Sequence, residues 1–254
     1  MSKTIVFVSD THCGSVYGLT PPEHWIQHYK KEQEESWISY KNLTEKWVEP
    51  DILVCNGDAI EGNQKKQGGA ELITSDRNVQ VEMAEEALCL WKAKQTFLTY
   101  GTKYHVSSDA EDFEYNLAKK LDAKIGGRLF LNIEGLIFDI RHKIGSSNIP
   151  HGRFTALAKE VMWDLIKEAK ESGPKIDVVV RSHVHYHRWL EEPKKIAFIT
   201  PCLQLARGRY GSRECVGEID WGAIRLTIDN GEITGKDIFI CTLHANKPQV
   251  IRVE

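Results

Sequence analysis

The chain has 254 residues, of which 41% are hydrophobic and 27% are charged, and its formal net charge is -3. This composition excludes an intrinsically disordered chain and is typical of a globular protein. The net charge excludes a global basic field for nucleic acid, although it permits a local basic patch. With no targeting signal at the N-terminus and no apolar run long enough to span a bilayer, the sequence favours a cytoplasmic protein without membrane contact.

The hydrophobic pattern alternates between short apolar runs and longer helical stretches. In chain order, the predicted elements are a strand over 5–8, one or two helices over 23–49, a strand over 51–55, a helix over 78–94, a strand over 96–100, a helix over 110–121, a hairpin over 124–142, a helix over 153–171, a strand over 176–180 and a second hairpin over 223–241. This order predicts an α/β layered sandwich with a mixed sheet, in one domain over 1–254. The segment 21–50 matches no functional pattern, and the sequence leaves open whether it caps a site or contacts a partner.

Residues that can bind a metal follow most of the predicted strands. They are Asp10, His12, Asp58, His105, His142, His183 and His185. Because ligands of open α/β sheets sit beyond the carboxyl ends of the strands, we expect these side chains to lie close together. A set of carboxylates and imidazoles suits Mn²⁺, Zn²⁺, Ni²⁺ or Fe better than Ca²⁺ or Mg²⁺.

The spacing of these residues adds to that expectation. Asp10-x-His12 and His183-x-His185 each place two side chains in a loop that leaves a strand, so that both can reach one centre. Asp58, a lone carboxylate, is suited to bridge two ions. Two divalent ions about 3.5–4 Å apart clamp the attacking and leaving oxygens of a phosphoryl displacement and make hydroxide available near neutral pH. Each motif alone also fits a solvated His, an edge strand or a simple turn, and it is their order along the chain that favours a metal site.

In this order the motifs resemble those of the calcineurin-like metallophosphoesterases, which are D-x-H, G-D-x-x-D/E, G-N-H-D/E, a lone His and G-H-x-H. The matching segments are Asp10-Thr11-His12, Gly57-Asp58-Ala59-Ile60-Glu61, Gly101-Thr102-Lys103-Tyr104-His105, His142 and Ser182-His183-Val184-His185. The resemblance spans 3–241, and the third motif is similar to that of phage and prophage members. It implies a layered α-β-β-α sandwich with mixed sheets. It also implies a two-metal hydrolase that cleaves phosphomonoester or phosphodiester bonds.

The resemblance further implies a role for each residue. One metal ion would be held by Asp10, His12, Asp58 and His185. The other would be held by Asp58, His142 and His183, so that Asp58 bridges the two. Mn²⁺ is the first choice for both ions, with Zn²⁺, Ni²⁺ or Fe as alternatives. His105 matches the catalytic His, which contacts the substrate phosphate and protonates the leaving group.

Two positions depart from the family pattern. The Asn of the third motif is absent and Thr102 stands nearest to its place, so the second ion is expected to bind more weakly, or through Thr102 or water. Ser182 replaces the usual Gly. We prefer His142 to His151 as the lone His because His142 ends a strand, and we expect Glu61 to have a structural role.

The substrate is less well defined by the sequence. Arg153, Arg207 and Arg209 are candidate phosphate contacts, because a guanidinium binds phosphate through two hydrogen bonds. The basic run over 207–211, which contains Arg207 and Arg209, is equally well interpreted as a solvated surface loop without a role in substrate binding. The expected partners are small phosphate esters, including nucleotides. Two alternatives stay open, a nuclease acting on DNA or RNA and a non-catalytic metal-binding scaffold for other proteins.

Overall fold

A computed structural model describes residues 2–65, 68–105, 112–205, 208, 217–247 and 250. The strands in these ranges are β1 (Lys3–Val8), β2 (Ile52–Asn56), β3 (Gln95–Thr99), β4 (Lys124–Gly126), β5 (Leu129–Ile133), β6 (Leu136–Ile140), β7 (Val178–Arg181), β8 (Arg188–Glu192), β9 (Lys195–Ile199), β10 (Trp221–Asp229) and β11 (Glu232–Cys241). The α-helices are α1 (Lys30–Lys46), α2 (Arg77–Cys89), α3 (Phe113–Lys120) and α4 (Arg153–Ala169), and short 3₁₀ helices cover Pro22–His24 and His244–Asn246. No helix within the described ranges combines the length and the apolar character needed to cross a membrane.

The strands form two mixed sheets. The first has the order β11-β10-β1-β2-β3-β4, in which β1 to β4 are parallel and β10 and β11 are antiparallel to their neighbours. The second has the order β5-β6-β7-β9-β8, in which β6, β7 and β9 are parallel and the edge strands β5 and β8 are antiparallel. The predicted α/β fold with mixed sheets is confirmed.

Alternating residues of β1 show why this strand is apolar throughout. Ile5 and Phe7 face the second sheet, where the ring of Phe7 packs 6.0 Å from that of Phe138. Val6 and Val8 point the other way, into the core beneath α1 and α2. Because successive side chains of a strand point to opposite faces, a strand covered on both sides must be apolar at every position.

A helical layer covers the outer face of each sheet. Trp37 and Tyr40 of α1 pack with Trp91 against the first sheet. Leu157 and Val161 of α4 pack against the second. The molecule is therefore an α-β-β-α sandwich, with its central core between the two sheets.

Two parts of the sheets differ from the elements predicted from the sequence. The stretch predicted as one hairpin over 124–142 is divided between the sheets, because β4 pairs with β3 in the first and only β5 and β6 form a hairpin in the second. The hairpin of β8 and β9 was not predicted. Its strands contain Glu191, Glu192 and Lys195, whose charges obscure the alternation of apolar residues.

Candidate metal centre

Backbone hydrogen bonds hold together the loops that follow β1 and β2. The N–H of Asp10 donates to the carbonyl of Gly57 at 3.0 Å, and the N–H of His12 donates to that of Asp58 at 3.0 Å. The parallel pairing of the two strands thus continues into their loops. The loops after β6 and β7 are joined in the same way. Both sheets therefore present their polar strand ends at one edge, as the sequence predicted.

Asp10, His12 and His185 form one group of potential metal ligands. His185 Nε2 lies 3.2 Å from Asp10 Oδ1 and 3.3 Å from His12 Nε2. One ligand atom from each residue lies within 4.8 Å of the others. The side chain of His185 is 17% exposed, whereas Asp10 and His12 are buried. This group can hold a divalent ion that is open to solvent on the side of His185.

Asp58, His142 and His183 form a second group with the same spacing. His142 Nε2 lies 2.9 Å from Asp58 Oδ2, and the rings of His142 and His183 are 5.3 Å apart. Asp10 lies between the two groups, because its Oδ1 is also 3.9 Å from His142 Nε2. The structure thus brings together the six carboxylates and imidazoles expected to bind metal. Their roles as ligands, and the bridging role of Asp58, stay predictions.

Two buried ligand atoms, Asp10 Oδ1 and His142 Nε2, have no hydrogen-bond partner in the described part of the chain. His142 Nε2 is close to Asp58 Oδ2 but is not aligned with it as a donor. Buried polar atoms without a partner are costly, and a cation placed between these atoms would satisfy both. The donor set of two carboxylates and four imidazoles is one that Mn²⁺, Zn²⁺, Ni²⁺ and Fe accept. The residues present therefore fit a divalent metal centre.

Hydrogen bonds on the far side of the ring orient two of the histidines. His142 Nδ1 donates to the Asn56 carbonyl at 2.7 Å, and His12 Nδ1 donates to Glu61 Oε2 at 2.8 Å. With the proton on Nδ1, the Nε2 of each neutral ring has a lone pair available for a metal. Metal-binding histidines ordinarily make this second hydrogen bond.

The backbone is left-handed at all but one of the six proposed ligands. The φ angles are 52° at Asp10, 46° at His12, 50° at Asp58, 80° at His183 and 57° at His185. A non-glycine residue in this region costs about 1–3 kcal/mol, and such strain persists only where the surroundings enforce it. Strained residues of this kind cluster at functional sites, so their concentration here indicates one.

In the metal-free protein, neighbouring carboxylates raise the pKa values of two of the histidines. Burial disfavours the charged form of His142, but Asp58 and Asp10 outweigh it and raise the pKa of His142 to about 10. Burial also opposes the charging of His12, and the hydrogen bond and charge of Glu61 raise its pKa to about 9. Burial favours protonation of Asp58, yet the charge of His142 holds its pKa well below the usual range.

We expect the metal-free protein to lose stability as the pH rises. The folded-state pKa values of His12 and His142 lie above their ordinary value of 6.5, so their stabilising contribution is complete below pH 6.5 and is lost as the pH passes about 9 and 10. Denaturant titrations of metal-stripped protein across this range measure the effect. A His142→Gln variant should show a shallower dependence on pH, and an unchanged slope would contradict the assignment.

Thr102 and His105 lie beside the two groups. The N–H of Thr102 donates to Asp58 Oδ1 at 2.7 Å, and its hydroxyl is 3.4 Å from the same oxygen. Thr102 therefore contacts the cluster through Asp58, and its role as a ligand stays a prediction. His105 Nδ1 donates to the Glu61 carbonyl at 2.7 Å, and its ring lies 4.5 Å from that of His12.

Glu61 connects both of these histidines. Its Oε2 accepts from His12 Nδ1 and lies 3.7 Å from His105 Nδ1, while its Oε1 accepts from Gln64 Nε2 at 2.8 Å. With His12 and His105, Glu61 also forms a third group of potential ligands. Because both carboxylate oxygens of Glu61 already have partners, we interpret Glu61 as a structural residue. It orients the rings of His12 and His105 beside the two groups.

The other candidates from the sequence belong to neither of the two groups, or they lie outside the described residues. Arg153 is 7% exposed, and its guanidinium lies 4.4 Å from the ring of Tyr186, a buried residue of the core beneath α4. His151 is exposed just before α4, unlike the buried His142. Arg207 and Arg209 lie outside the described residues, and substrate contacts by all three arginines stay predictions.

Two buried polar residues support the cluster, although the sequence analysis gave them no role. Asn56 ends β2, donates to Ser182 Oγ at 2.7 Å and accepts from Thr99 Oγ1 at 2.7 Å, so it joins the two sheets. Glu114 accepts from the N–H of Gly101 at 2.9 Å. The available signal was a carboxylate on the buried face of α3, among apolar side chains.

Comparisons with known proteins find only distant structural similarities. No family model matches the sequence, and a search of curated proteins finds no match. Similar solved structures include an archaeal phosphodiesterase, at 16% identity and a TM-score of 0.48 over 93% of this chain and 99% of that one. They also include a predicted phosphoesterase from Streptococcus pneumoniae TIGR4, at 12% identity and a TM-score of 0.42 over 95% and 99%. A third is Vps29 of Entamoeba histolytica complexed with zinc, at 12% identity and a TM-score of 0.47 over 94% and 98%. These values assign neither an activity nor a ligand to this chain.

Proposed function

We propose that the protein is a metal-dependent hydrolase that cleaves phosphomonoester or phosphodiester bonds at a two-ion centre. The convergence of six potential metal ligands, each in a loop that follows a strand, carries this proposal. Two of their ligand atoms, Asp10 Oδ1 and His142 Nε2, are buried without a hydrogen-bond partner in the described residues, as expected of atoms that bind a cation. The order of the motifs, which resembles that of the calcineurin-like metallophosphoesterases, supports the reaction class.

The residues would hold two ions in two groups. The first group is Asp10, His12 and His185. The second group is Asp58, His142 and His183. When bound, two divalent ions supply a water nucleophile that is active near neutral pH and stabilise the charge that develops on the phosphate oxygens. Mn²⁺ is the metal we expect to support turnover best, with Zn²⁺, Ni²⁺ or Fe as alternatives.

His105 is the proposed proton donor to the leaving group. The Glu61 carbonyl engages its Nδ1–H at 2.7 Å, so Nε2 is the nitrogen that can carry the exchangeable proton. The ring packs against His12 beside the first group, and the side chain is 14% exposed and therefore accessible to a substrate. A positioned imidazole in this role contributes about 10²–10⁴-fold to the rate.

The exposure of the ligands indicates where the substrate approaches. Asp10, Asp58 and His142 are buried, whereas His183 and His185 are partly exposed. The phosphate would thus reach the ions from the side of the loop after β7. The fully buried carboxylates would hold the ions from the opposite side and keep water away from that face.

Hydrolysis of chromogenic esters by metal-stripped protein tests the proposal. We expect turnover of para-nitrophenyl phosphate or bis(para-nitrophenyl) phosphate to return when Mn²⁺ is added, and to return to different extents with Zn²⁺, Ni²⁺ and Mg²⁺. The preferred ester would identify the protein as a monoesterase or a diesterase. A steep loss of affinity for oligonucleotides with rising salt would favour the nuclease alternative.

The assay also separates the proposal from a non-catalytic scaffold. Metal content is measured by elemental analysis of the same protein before and after reconstitution. Bound metal without turnover of any ester would favour a metal-binding scaffold. A protein that binds no divalent metal at all would contradict the proposed function.

A further inference from the structure

Glu114 of α3 joins the loop of Asp58 to the loop of Thr102. Its Oε2 accepts the N–H of Gly101 at 2.9 Å, and its Oε1 accepts the N–H of Ala59 at a longer 3.4 Å. The side chain is buried. A buried carboxylate requires donors of this kind, and here the two donors belong to different loops.

The two loops meet at the Asp58 carboxylate. The N–H of Thr102 donates to Asp58 Oδ1 at 2.7 Å. Gly101 approaches so closely that a Cβ at this position would collide with the same oxygen. Asp58 Oδ2 is then the oxygen directed at His142, at 2.9 Å. The orientation of Asp58 therefore depends on where the loop of Gly101 and Thr102 stands.

We propose that Glu114 is a positioning residue for the metal centre, whose carboxylate holds these two loops together and so fixes Asp58 for the ion shared with His142 and His183. The inference rests on the proposed function, because it requires that this group binds metal. It does not depend on contact between Glu114 and the substrate or an ion. Hydrogen-bonding partners behind a metal ligand typically change metal affinity by about 10–100-fold when they are removed.

Glu114→Gln and Glu114→Asp test the inference by metal affinity rather than by rate. The amide of Gln places a donor opposite one of the two backbone donors, and Asp is one methylene too short to reach both. We expect each variant to bind the ion of the Asp58 group about 10–100-fold more weakly, measured by calorimetric titration of Mn²⁺ into metal-stripped protein. Two variants are used so that a folding defect in one leaves the other informative.

Asp112→Ala is the matched control, because Asp112 caps the same helix by accepting the N–H of Tyr115 at 2.9 Å. Loss of this helix cap should lower the melting temperature by about 2–4 °C, while the affinities of the two groups for their ions stay unchanged. A second control places Glu114→Gln in a His183→Ala background, in which the affinity of the Asp58 group for its ion is already lower. There the effect of Glu114→Gln should largely disappear, since coupled changes are not additive.

The outcomes separate this inference from the proposed function. If the wild-type protein binds two ions and both Glu114 variants bind them equally well, the positioning role is wrong and the proposed function stands. If Asp112→Ala weakens metal binding as much as Glu114→Gln does, Glu114 acts only through the stability of α3 and the inference is again wrong. A wild-type protein that binds no metal would overturn the proposed function, and the inference with it.

Discussion

Asp58→Asn is expected to abolish the binding of both ions and to lower turnover by about 100-fold or more, to the rate of metal-stripped protein. Asp58 Oδ2 lies 2.9 Å from His142 Nε2, and Oδ1 accepts from the N–H of Thr102 at 2.7 Å. The amide keeps the size of the side chain, but it removes the charge that the ions would share, and its NH₂ group cannot bind a cation. Elemental analysis of dialysed protein and the rate of ester hydrolysis measure the two effects.

The same substitution has a second signature in the metal-free protein. Burial lowers the pKa of His142, but nearby carboxylates raise it to about 10, and the charge of Asp58 makes the largest contribution to this rise. With an uncharged residue at position 58, the pKa of His142 should therefore fall. Titration of the histidine resonances by NMR would detect the fall without any bound metal.

Asp51→Asn is the matched control for Asp58→Asn. Asp51 precedes β2, the strand that Asp58 follows, and it binds the N–H of Thr4 at 2.9 Å and Lys94 at 2.8 Å at the opposite end of the strand. Its replacement should lower stability but leave metal content and turnover unchanged. Full metal content in Asp58→Asn, or equal losses in the two variants, would contradict the role assigned to Asp58.

The placement of the site was predictable because it depends on strand ends. In a parallel sheet the carboxyl ends of neighbouring strands share an edge, so Asp10 and Asp58, which follow β1 and β2, had to lie close together. The apolar runs that mark these strands are easy to recognise, because their residues are buried on both faces. The same argument placed His142 and His183 at the ends of strands, and the structure shows that these strands lie in the second sheet.

The contacts that orient the ligands were not predictable, since they join segments far apart in the sequence. Glu114 reaches Gly101 and Ala59 in two different loops, and Asn56 reaches Ser182 in the other sheet. Nothing in the periodicity of a helix or strand states which distant backbone donor a buried side chain will meet. Such partners emerge only when the layers are packed.

The strained backbone of the ligand loops has a similar origin. Non-glycine residues rarely adopt a left-handed conformation, so no propensity predicts a φ of 46° at His12 or 80° at His183. The pairing of the adjacent loops imposes it, through bonds such as that from the N–H of His12 to the carbonyl of Asp58. Local preference and packing conflict here, as is common at functional sites.

His105→Ala is expected to keep both ions and to lower turnover by about 10²–10⁴-fold. The side chain lies beside the ligands rather than among the two principal groups, and its Nδ1 is engaged by the Glu61 carbonyl at 2.7 Å. Removal of the ring should therefore leave Asp10 and His185 able to hold an ion. Elemental analysis and steady-state kinetics on the same preparation measure the two quantities.

The identity of the leaving group distinguishes proton donation from mere contact with the phosphate. A para-nitrophenolate leaves without protonation, whereas an alkoxide requires a proton in the transition state. His105→Ala should therefore slow an alkyl phosphate ester much more than a para-nitrophenyl ester, while an exposed-histidine control, His151→Ala, should slow neither. Equal losses on both esters would instead indicate that His105 binds the phosphate, because that contact is common to the two substrates. Unchanged turnover on both would remove His105 from the mechanism, and the proton would then have to come from solvent on the exposed side of His185.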